Sequence, residues 1–345
     1  MLNTKLIKIN NITEQKNELL CVAEILKSGG LVAIPTETVY GLAADCLNPV
    51  AVENIFKAKG RPNDNPLIVH LAEIEDVTNY AVNIPSNFYK LAAKFCPGPL
   101  TMILPKHTRV PLVTSGGLDT IAIRFPSHPV AREIIRLTGV GLAAPSANRS
   151  GSPSPTTAKH CIDDLLGRVD AIVDAGCCDI GVESTVVSLA GNCVRLLRPG
   201  AVTAEQLSEV VGKVEIDSAV TGNLAEGTVA SSPGMKYKHY SPKAKIVIVS
   251  GDRKAYCDFV NSHKDEGVYA LCFTEDLPYI DKPTVVMGGE KDDLSQAQGL
   301  FAALRKLDEL GAKTAYARCP SCAGVGLAVY NRLLRAAAFD IIELT

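Results

Sequence analysis

The stretch LVAIPTETVYG, residues 31–41, passes directly from an apolar run into a cluster of small polar side chains. Leu31 to Ile34 are apolar and partly β-branched, which predicts a short buried strand. Pro35 to Gly41 then concentrate hydroxyl groups at the end of that strand, where a substrate could bind. In open α/β sheets ligands bind beyond the carboxyl ends of strands, so this stretch favours an α/β fold.

Similar apolar runs alternate with helical patterns through the first 210 residues. The further predicted strands are Leu67–Leu71, Leu100–Leu104, Thr120–Phe125, Gly141–Ala144, Ala171–Val173 and Thr185–Leu189. Helical periodicity predicts helices at 50–58, 86–95, 129–137 and 157–166. Because two adjacent strand pairs are hairpin-like, we predict an α/β domain over residues 1–210 with a mixed rather than a purely parallel sheet.

Residues 211–243 lose this periodicity and are rich in Gly and Pro, which predicts an interdomain linker. After it, strands predicted at 245–249, 268–273, 284–287 and 314–318 alternate with helices at 254–262, 293–310 and 325–338. This order is typical of a smaller Rossmann-like α/β domain over residues 244–345. The domain lacks G-x-G-x-x-G, so dinucleotide binding is not indicated.

The composition is that of an ordinary globular protein, with 47% hydrophobic and 21% charged residues and a net charge of −2. Such a charge does not indicate a surface that coats nucleic acid, although it is compatible with a local basic site. No signal-peptide pattern and no apolar run of about 18 residues occurs, so we expect a cytoplasmic protein without a membrane segment. Of eleven cysteines, Cys319 and Cys322 form a single C-x-x-C with no further ligand pair nearby, so no metal site is expected.

Lys59 and Arg61 form a candidate phosphate site. A helix is predicted to end near Gly60, because glycine tolerates the left-handed cap conformation, and Arg61 precedes a proline that favours extended backbone. Two cations separated by one residue could then bind one polyphosphate. Alternatively, they belong to a solvated helix end whose charges complement the helix dipole.

The segment APSANRSGSPSP, residues 144–155, is a second candidate because it follows a strand and leads into a helix. Ser154 with Pro155 predicts an N-cap followed by proline in the first turn. Free N–H groups there, with Ser and Asn side chains, could bind an anion or a nucleotide. The alternative is a polar loop whose side chains only cap the helix.

The remaining candidate site residues are polar residues within apolar strands or at a strand start. Arg124 ends the strand at 120–125, so its charge needs either a protein carboxylate or a ligand carboxylate. The segment GVEST, residues 181–185, places hydroxyl groups at a strand start. His70 lies within an apolar strand, and a hydrogen-bonded core histidine is the common explanation for such a position.

Taken in this order, the segments resemble the threonylcarbamoyl-AMP synthase family, whose catalytic part is a YrdC-like domain. The matching segments are PTETVYGL (35–42), KGRPNDNPLIVH (59–70), PGPLTMIL (97–104), IAIRFPSHP (121–129), APSANRSGSPSPT (144–156), GVESTVV (181–187), RPGAVT (198–203), SPGMKYKHYSP (232–242) and GVGLAVYNRLLRAA (324–337). They cover nearly the whole chain, and the tail is similar to the long, two-domain form of the enzyme.

The resemblance implies a twisted mixed sheet with a concave basic surface and a lid supplied by the linker. It implies catalytic roles for Lys59 and Arg61. The residues that it places on ATP are Lys59, Arg61, Asn63, Ser146, Asn148, Ser154, Arg198 and Tyr237. Those that it places around L-threonine are Thr36, Tyr40, His70, Arg124 and Ser184, with Arg124 facing the substrate carboxylate.

The implied reaction makes threonylcarbamoyl-AMP and pyrophosphate from L-threonine, bicarbonate and ATP. The threonine amine takes up bicarbonate-derived CO₂ as a carbamate, which attacks the α-phosphate of ATP. Such a reaction needs positioning and charge neutralisation rather than a nucleophilic side chain, and the sequence has no Walker A or G-x-S-x-G motif. Mg²⁺ is expected on the phosphates. The resemblance further implies that the product passes to the transferase that modifies tRNA.

Two other interpretations remain. A double-stranded RNA-binding or ribosome-associated module could use the same concave surface for RNA binding without catalysis, although the mildly acidic chain and its hydroxyl-rich segments favour the enzyme. A different carbamoyl-transfer enzyme with a YrdC-like domain would usually carry zinc-finger or acylphosphatase-like segments, for which this chain has neither tandem C-x-x-C motifs nor room.

Overall fold

The computed structural model describes residues 2–62, 65–191, 193–220, 222 and 240–344. The described residues fall into two compact units. The first lies within Met1–Ser150, Pro155–Asp179 and Glu183–Lys236, and the second within Gly151–Ser154, Ile180–Val182 and Tyr237–Thr345. Most of the predicted linker, residues 223–239, lies outside the described part of the chain. The prediction that the linker is a lid concerns these residues and therefore stays a prediction.

The first unit is built on one large sheet. Its strands are β1 (Lys5–Lys8), β2 (Val32–Ile34), β3 (Gly41–Asp45), β4 (Ile68–His70), β5 (Leu100–Pro105), β6 (Thr120–Arg124), β7 (Leu142–Ala143), β8 (Ala171–Asp174), β9 (Thr185–Ser188), β10 (Val194–Arg198) and β11 (Val214–Ile216). They lie in the order β1-β8-β2-β3-β7-β4-β6-β5-β9-β10-β11. Because β4 and β6 pair in parallel whereas β5 and β6 pair antiparallel, the predicted mixed sheet is confirmed.

The helices of this unit are α1 (Lys16–Lys27), α2 (Pro49–Lys59), α3 (Ser86–Phe95), α4 (Leu112–Ser115), α5 (Pro129–Thr138), α6 (Ala158–Leu165) and α7 (Ala204–Val211), with 3-10 turns at Ile74–Asn79 and Ser218–Val220.

Four strands of the sheet have no counterpart in the sequence prediction, namely β1, β3, β10 and β11. The alanines of β3 have low strand propensity, and β11 falls in the range that we predicted as linker.

Alternation along the central strands sorts their side chains between two faces of the sheet. Val69, Met102, Ile123 and Val187 belong to the main core of the unit. Ile68, Ile103, Ala122, Val186 and Leu197 form a separate buried apolar cluster. His70 is two residues from Ile68, and Arg124 is two residues from Ala122, so these two polar residues share a face with that smaller cluster.

The second unit contains a sheet of β12 (Lys245–Ser250), β13 (Val268–Phe273), β14 (Thr284–Gly288), β15 (Thr314–Arg318) and β16 (Ile341–Glu343). The order is β14-β13-β15-β12-β16 and every pair is parallel, which confirms the predicted Rossmann-like organisation. Its helices are α8 (Arg253–Ser262), α9 (Asp293–Glu309) and α10 (Gly326–Ala336), with a 3-10 turn at Thr274–Tyr279. In the described part of the chain, every helix is too short or too polar to cross a bilayer.

Candidate active site

Helix α2 ends where the sequence predicts, at a left-handed glycine. Gly60 has φ 64°, its N–H donates to Lys57 O, and the N–H of Arg61 donates to Phe56 O. This pair of hydrogen bonds is the Schellman motif, which satisfies the last carbonyls of a helix. It places the half-buried Arg61 just beyond the helix and turns Lys59 into the protein.

Lys59 binds the loop at 146–148. Its side chain is buried, and Nζ donates to Ser146 O, to Asn148 O at 2.7 Å and to Asn148 Oδ1 at 3.3 Å. An ammonium group has three donors, so these acceptors use all of them. Burial, and then the charge of Arg61, lower the pKa of Lys59 to about 7. The structure therefore shows Lys59 as an anchor of this loop.

The same loop is held from its other side by the start of β3. Leu42 N donates to Pro145 O at 2.7 Å, and Ala147 N donates to Tyr40 O at 2.8 Å. Tyr40 is fully buried, and its hydroxyl donates to Gly176 O at 2.7 Å. The Tyr40 hydroxyl, which the resemblance places near threonine, is thus hydrogen-bonded within the protein.

Thr36 stabilises the turn that follows β2. Its Oγ1 donates to Val39 O at 2.6 Å and accepts from the N–H groups of Thr38 and Val39 at 3.2 and 3.3 Å. Hydroxyl groups often bond the backbone in this way in turns. The turn sets the direction in which the next side chain, Glu37, leaves the backbone.

Glu37 and Arg124 form a buried ion pair. Arg124 Nη2 lies 2.8 Å from Glu37 Oε1, and the side chains are 4% and 5% exposed. Burial alone would raise the pKa of Glu37. The charge and hydrogen bonding of Arg124, with the backbone N–H groups of Glu37 and Ser127, together outweigh burial, so the pKa is lowered and the carboxylate is ionised at neutral pH. Of the two partners that the sequence allows for Arg124, the structure shows the protein carboxylate. Sequence reasoning missed Glu37, although it is the acidic residue of the hydroxyl-rich stretch after β2.

His70 and Thr101 lie beside Arg124 in the sheet. His70 is its partner across the β4–β6 pair and Thr101 across the β5–β6 pair. His70 Nδ1 lies 3.3 Å from Ile68 O, and burial together with Arg124 lowers the pKa of His70 to about 3. The imidazole is therefore neutral at physiological pH, as the core-histidine interpretation requires.

Ser184 joins this row just before β9. Its Oγ lies 2.7 Å from Thr101 Oγ1, and Arg198 donates to it from Nη2 at 3.2 Å and to Ser184 O from Nε at 3.1 Å. A pairing irregularity between Leu196 and Arg198 redirects the end of β10 at this point. The neighbouring Glu183 is near enough to Lys59 to act on its pKa, so the two groups of residues belong to one region of the first unit.

The remaining predicted positions are placed differently. Ser154 is buried but belongs to the second unit, and it does not cap α6. The predicted cap is wrong, because α6 begins at Ala158 and Thr157 Oγ1 accepts from His160 N at 3.3 Å. Asn63 and Tyr237 lie outside the described residues.

Carboxylate, histidine and cysteine side chains provide no metal centre in the described ranges. Within residues 2–62, 65–191, 193–220 and 240–344, no three such residues are grouped so that they could hold an ion.

Comparisons with known proteins agree along nearly the whole chain. The Sua5/YciO/YrdC family, described as telomere recombination, matches residues 24–200, and the family described as threonylcarbamoyl-AMP synthase, C-terminal domain, matches residues 202–338. The threonylcarbamoyl-AMP synthase of Pyrococcus abyssi is 42% identical over 97% of this chain and 99% of its own length. That of Bacillus subtilis is 42% identical over 93% of both chains.

A solved structure is similarly close. The crystal structure of P. abyssi Sua5 complexed with L-threonine superimposes with a TM-score of 0.93 and 41% sequence identity, covering 99% of this chain and all of that one. Fold and overall sequence thus agree. The chain belongs to the threonylcarbamoyl-AMP synthase family.

Proposed function

We propose that this protein is a nucleotidyltransferase that makes threonylcarbamoyl-AMP and pyrophosphate from L-threonine, bicarbonate and ATP. The observation that carries the proposal is its likeness, over 99% of the chain, to a protein of known structure in complex with L-threonine. The proposed product is the activated precursor for threonylcarbamoyladenosine in tRNA, next to the anticodon. It would pass to the transferase that modifies tRNA.

We place L-threonine against the polar row on the sheet. Arg124 faces the carboxylate, and the neutral His70 and the hydroxyl of Ser184 lie alongside it. Thr36 and Tyr40 shape this site through the turn and the loop that they hold, because their hydroxyls already have partners in the chain. A preformed row of this kind lowers the entropic cost of aligning the substrate.

ATP would bind at the loop that Lys59 anchors. We assign its phosphates to Arg61 and Asn63 and its further contacts to Ser146, Asn148, Ser154, Arg198 and Tyr237, of which Asn63 and Tyr237 lie outside the described residues. Lys59 fixes the position of the loop and, in its protonated form, adds positive charge to the site, since its three donors are already used. Catalysis would rest on the charges of Arg61 and of protonated Lys59 beside the developing negative charge, because bound phosphates would raise the pKa of Lys59 again. Mg²⁺ would enter with ATP as part of the substrate.

A direct test incubates the purified protein with ATP, Mg²⁺, L-threonine and ¹³C-bicarbonate. Mass spectrometry should show a threonylcarbamoyl adenylate that carries the label, together with threonine-dependent release of pyrophosphate. If neither product forms while RNA still binds with strong salt dependence, the RNA-binding interpretation replaces this one.

A further inference from the structure

We propose that Glu37 accepts the α-ammonium group of L-threonine, so that the buried Glu37–Arg124 pair binds both charged ends of the amino-acid zwitterion. The inference rests on the proposed function, because it concerns the same substrate. It adds a substrate-binding residue that the motif comparison leaves without a role.

The pair has hydrogen-bonding capacity that the protein does not use. Among the described residues, no well-aligned hydrogen bond reaches either carboxylate oxygen of Glu37 or Arg124 Nη2. Arg124 and the backbone N–H groups of Glu37 and Ser127 are nevertheless close enough to help lower the pKa of Glu37. The only direct link is the ion-pair contact of 2.8 Å between them. A carboxylate offers about four acceptor positions, and buried polar groups are normally satisfied. Two acceptor atoms and one donor atom thus lie side by side, buried and without well-aligned hydrogen bonds.

A zwitterion has the complementary groups. An ammonium group has only donors, which suit the oxygens of Glu37, and a carboxylate has only acceptors, which suit the guanidinium of Arg124. The pair is neutral overall, and so is an amino acid at neutral pH. A ligand with one charged end would leave an uncompensated charge in a buried place, which is costly.

Three neighbouring titratable groups are neutral and cannot bind an ammonium group by charge. Burial lowers the pKa of His128, and burial with Arg124 lowers that of His70, so both imidazoles are neutral near pH 7. Burial raises the pKa of the Cys178 thiol, which is therefore also neutral. Glu37 keeps its negative charge because Arg124 lowers its pKa.

The lowered pKa also determines which kinetic constant depends on Glu37. A carboxylate of low pKa is a poor proton acceptor, so Glu37 binds the ammonium form and does not act as a general base. It should therefore contribute to threonine affinity more than to the rate of the chemical step.

The test compares two ligands on three proteins by calorimetry. The ligands are L-threonine and 2,3-dihydroxybutanoate, in which a hydroxyl replaces the ammonium group. The proteins are the wild type, Glu37→Gln, and the control Glu73→Gln, which removes a half-exposed carboxylate paired with Arg136. Glu37→Gln should weaken threonine binding by about 10- to 100-fold, the range for a charge-assisted hydrogen bond. It should not weaken binding of the analogue, whose single negative charge is better compensated by Arg124 once the Glu37 carboxylate is gone. Glu73→Gln should bind both ligands like the wild type.

Other results would overturn the inference. Equal losses for both ligands would mean that Glu37 only positions Arg124, and unchanged threonine binding would exclude any contact. Thermal unfolding shows whether Glu37→Gln folds. If it does not, the affinities of the wild type for threonine and for the analogue are compared. Equal affinities would contradict an ammonium site. A folded wild type that binds no threonine at all would instead refute the proposed function.

Discussion

The guanidinium of Arg124, at the end of β6, lies 2.8 Å from the carboxylate of Glu37, in the turn after β2. Both side chains are almost fully buried, so each depends on the other for charge compensation. Two separate segments of the chain are therefore fixed to each other in the middle of the candidate site. Removing either partner should therefore lower the free energy of unfolding, because the remaining charge would be buried without compensation.

We expect Arg124→Ala to destabilise the protein by about 3–5 kcal/mol, because it leaves the Glu37 charge buried without a partner. The matched control is Arg136→Ala, which breaks a half-exposed pair with Glu73 and should cost less than about 1 kcal/mol. Urea unfolding of both variants measures the difference. Equal, small losses would show that Glu37 is solvated or protonated in the folded protein.

Lys59→Ala should weaken ATP binding by about 10- to 100-fold, because three hydrogen bonds from a charged group to the 146–148 loop are lost. Lys57→Ala, an exposed residue of the same helix, is the control and should change affinity little. Calorimetry with a non-hydrolysable ATP analogue measures both. If Lys59→Ala binds the analogue like the wild type, the loop does not belong to the ATP site.

The lowered pKa of Lys59 predicts a pH dependence of stability. The value falls from 10.5 to about 7 on folding, so above pH 7 the unfolded chain holds a proton that the folded chain has lost. Stability rises with pH wherever the unfolded state binds more protons. The contribution of Lys59 should therefore increase from pH 7 toward pH 10.5 and be constant below pH 7.

The free energy of unfolding, measured for the wild type and Lys59→Met at several pH values, tests this. The wild type should gain stability relative to Lys59→Met between pH 7 and pH 9, whereas Lys57→Met should follow the wild type. A constant difference across this range would mean that Lys59 keeps its ordinary pKa in the folded protein.

Thr101→Val should reduce threonine affinity several-fold, because Ser184 Oγ loses its 2.7 Å partner and is held by Arg198 alone. A neutral hydrogen bond of this kind contributes about 1 kcal/mol. Thr114→Val is the control, since its hydroxyl is equally buried but donates to Cys46 O at 2.8 Å. Both variants should lose some stability, and only Thr101→Val should lose threonine affinity. Equal affinities would separate Thr101 from the substrate site.

Much of the fold could be predicted from the sequence because it depends on local patterns. Apolar runs identify β5 and β6 within a residue or two, and the glycine at position 60 identifies the end of α2. The mixed sheet and the parallel second sheet follow from the spacing of such runs. These features are local because strand alternation and helix caps involve residues close together in the chain.

Local signals fail where distant segments compete for the same backbone. Ser154 has a suitable cap sequence, yet α6 begins after Thr157. The reason is tertiary: Pro155 O accepts from Tyr40 N, and Thr156 O accepts from Cys178 N, so these residues are held outside the helix.

The candidate site divides in the same way. The sequence alone determined which segments carry polar residues at strand ends, and that Arg124 needed a negative partner. Only the tertiary structure decided that this partner is Glu37, that Lys59 binds the 146–148 loop, and that the Tyr40 hydroxyl is used within the protein. Strand register and loop packing bring together residues that are far apart in the chain. The local sequence therefore does not determine which of several polar side chains pairs with a buried charge.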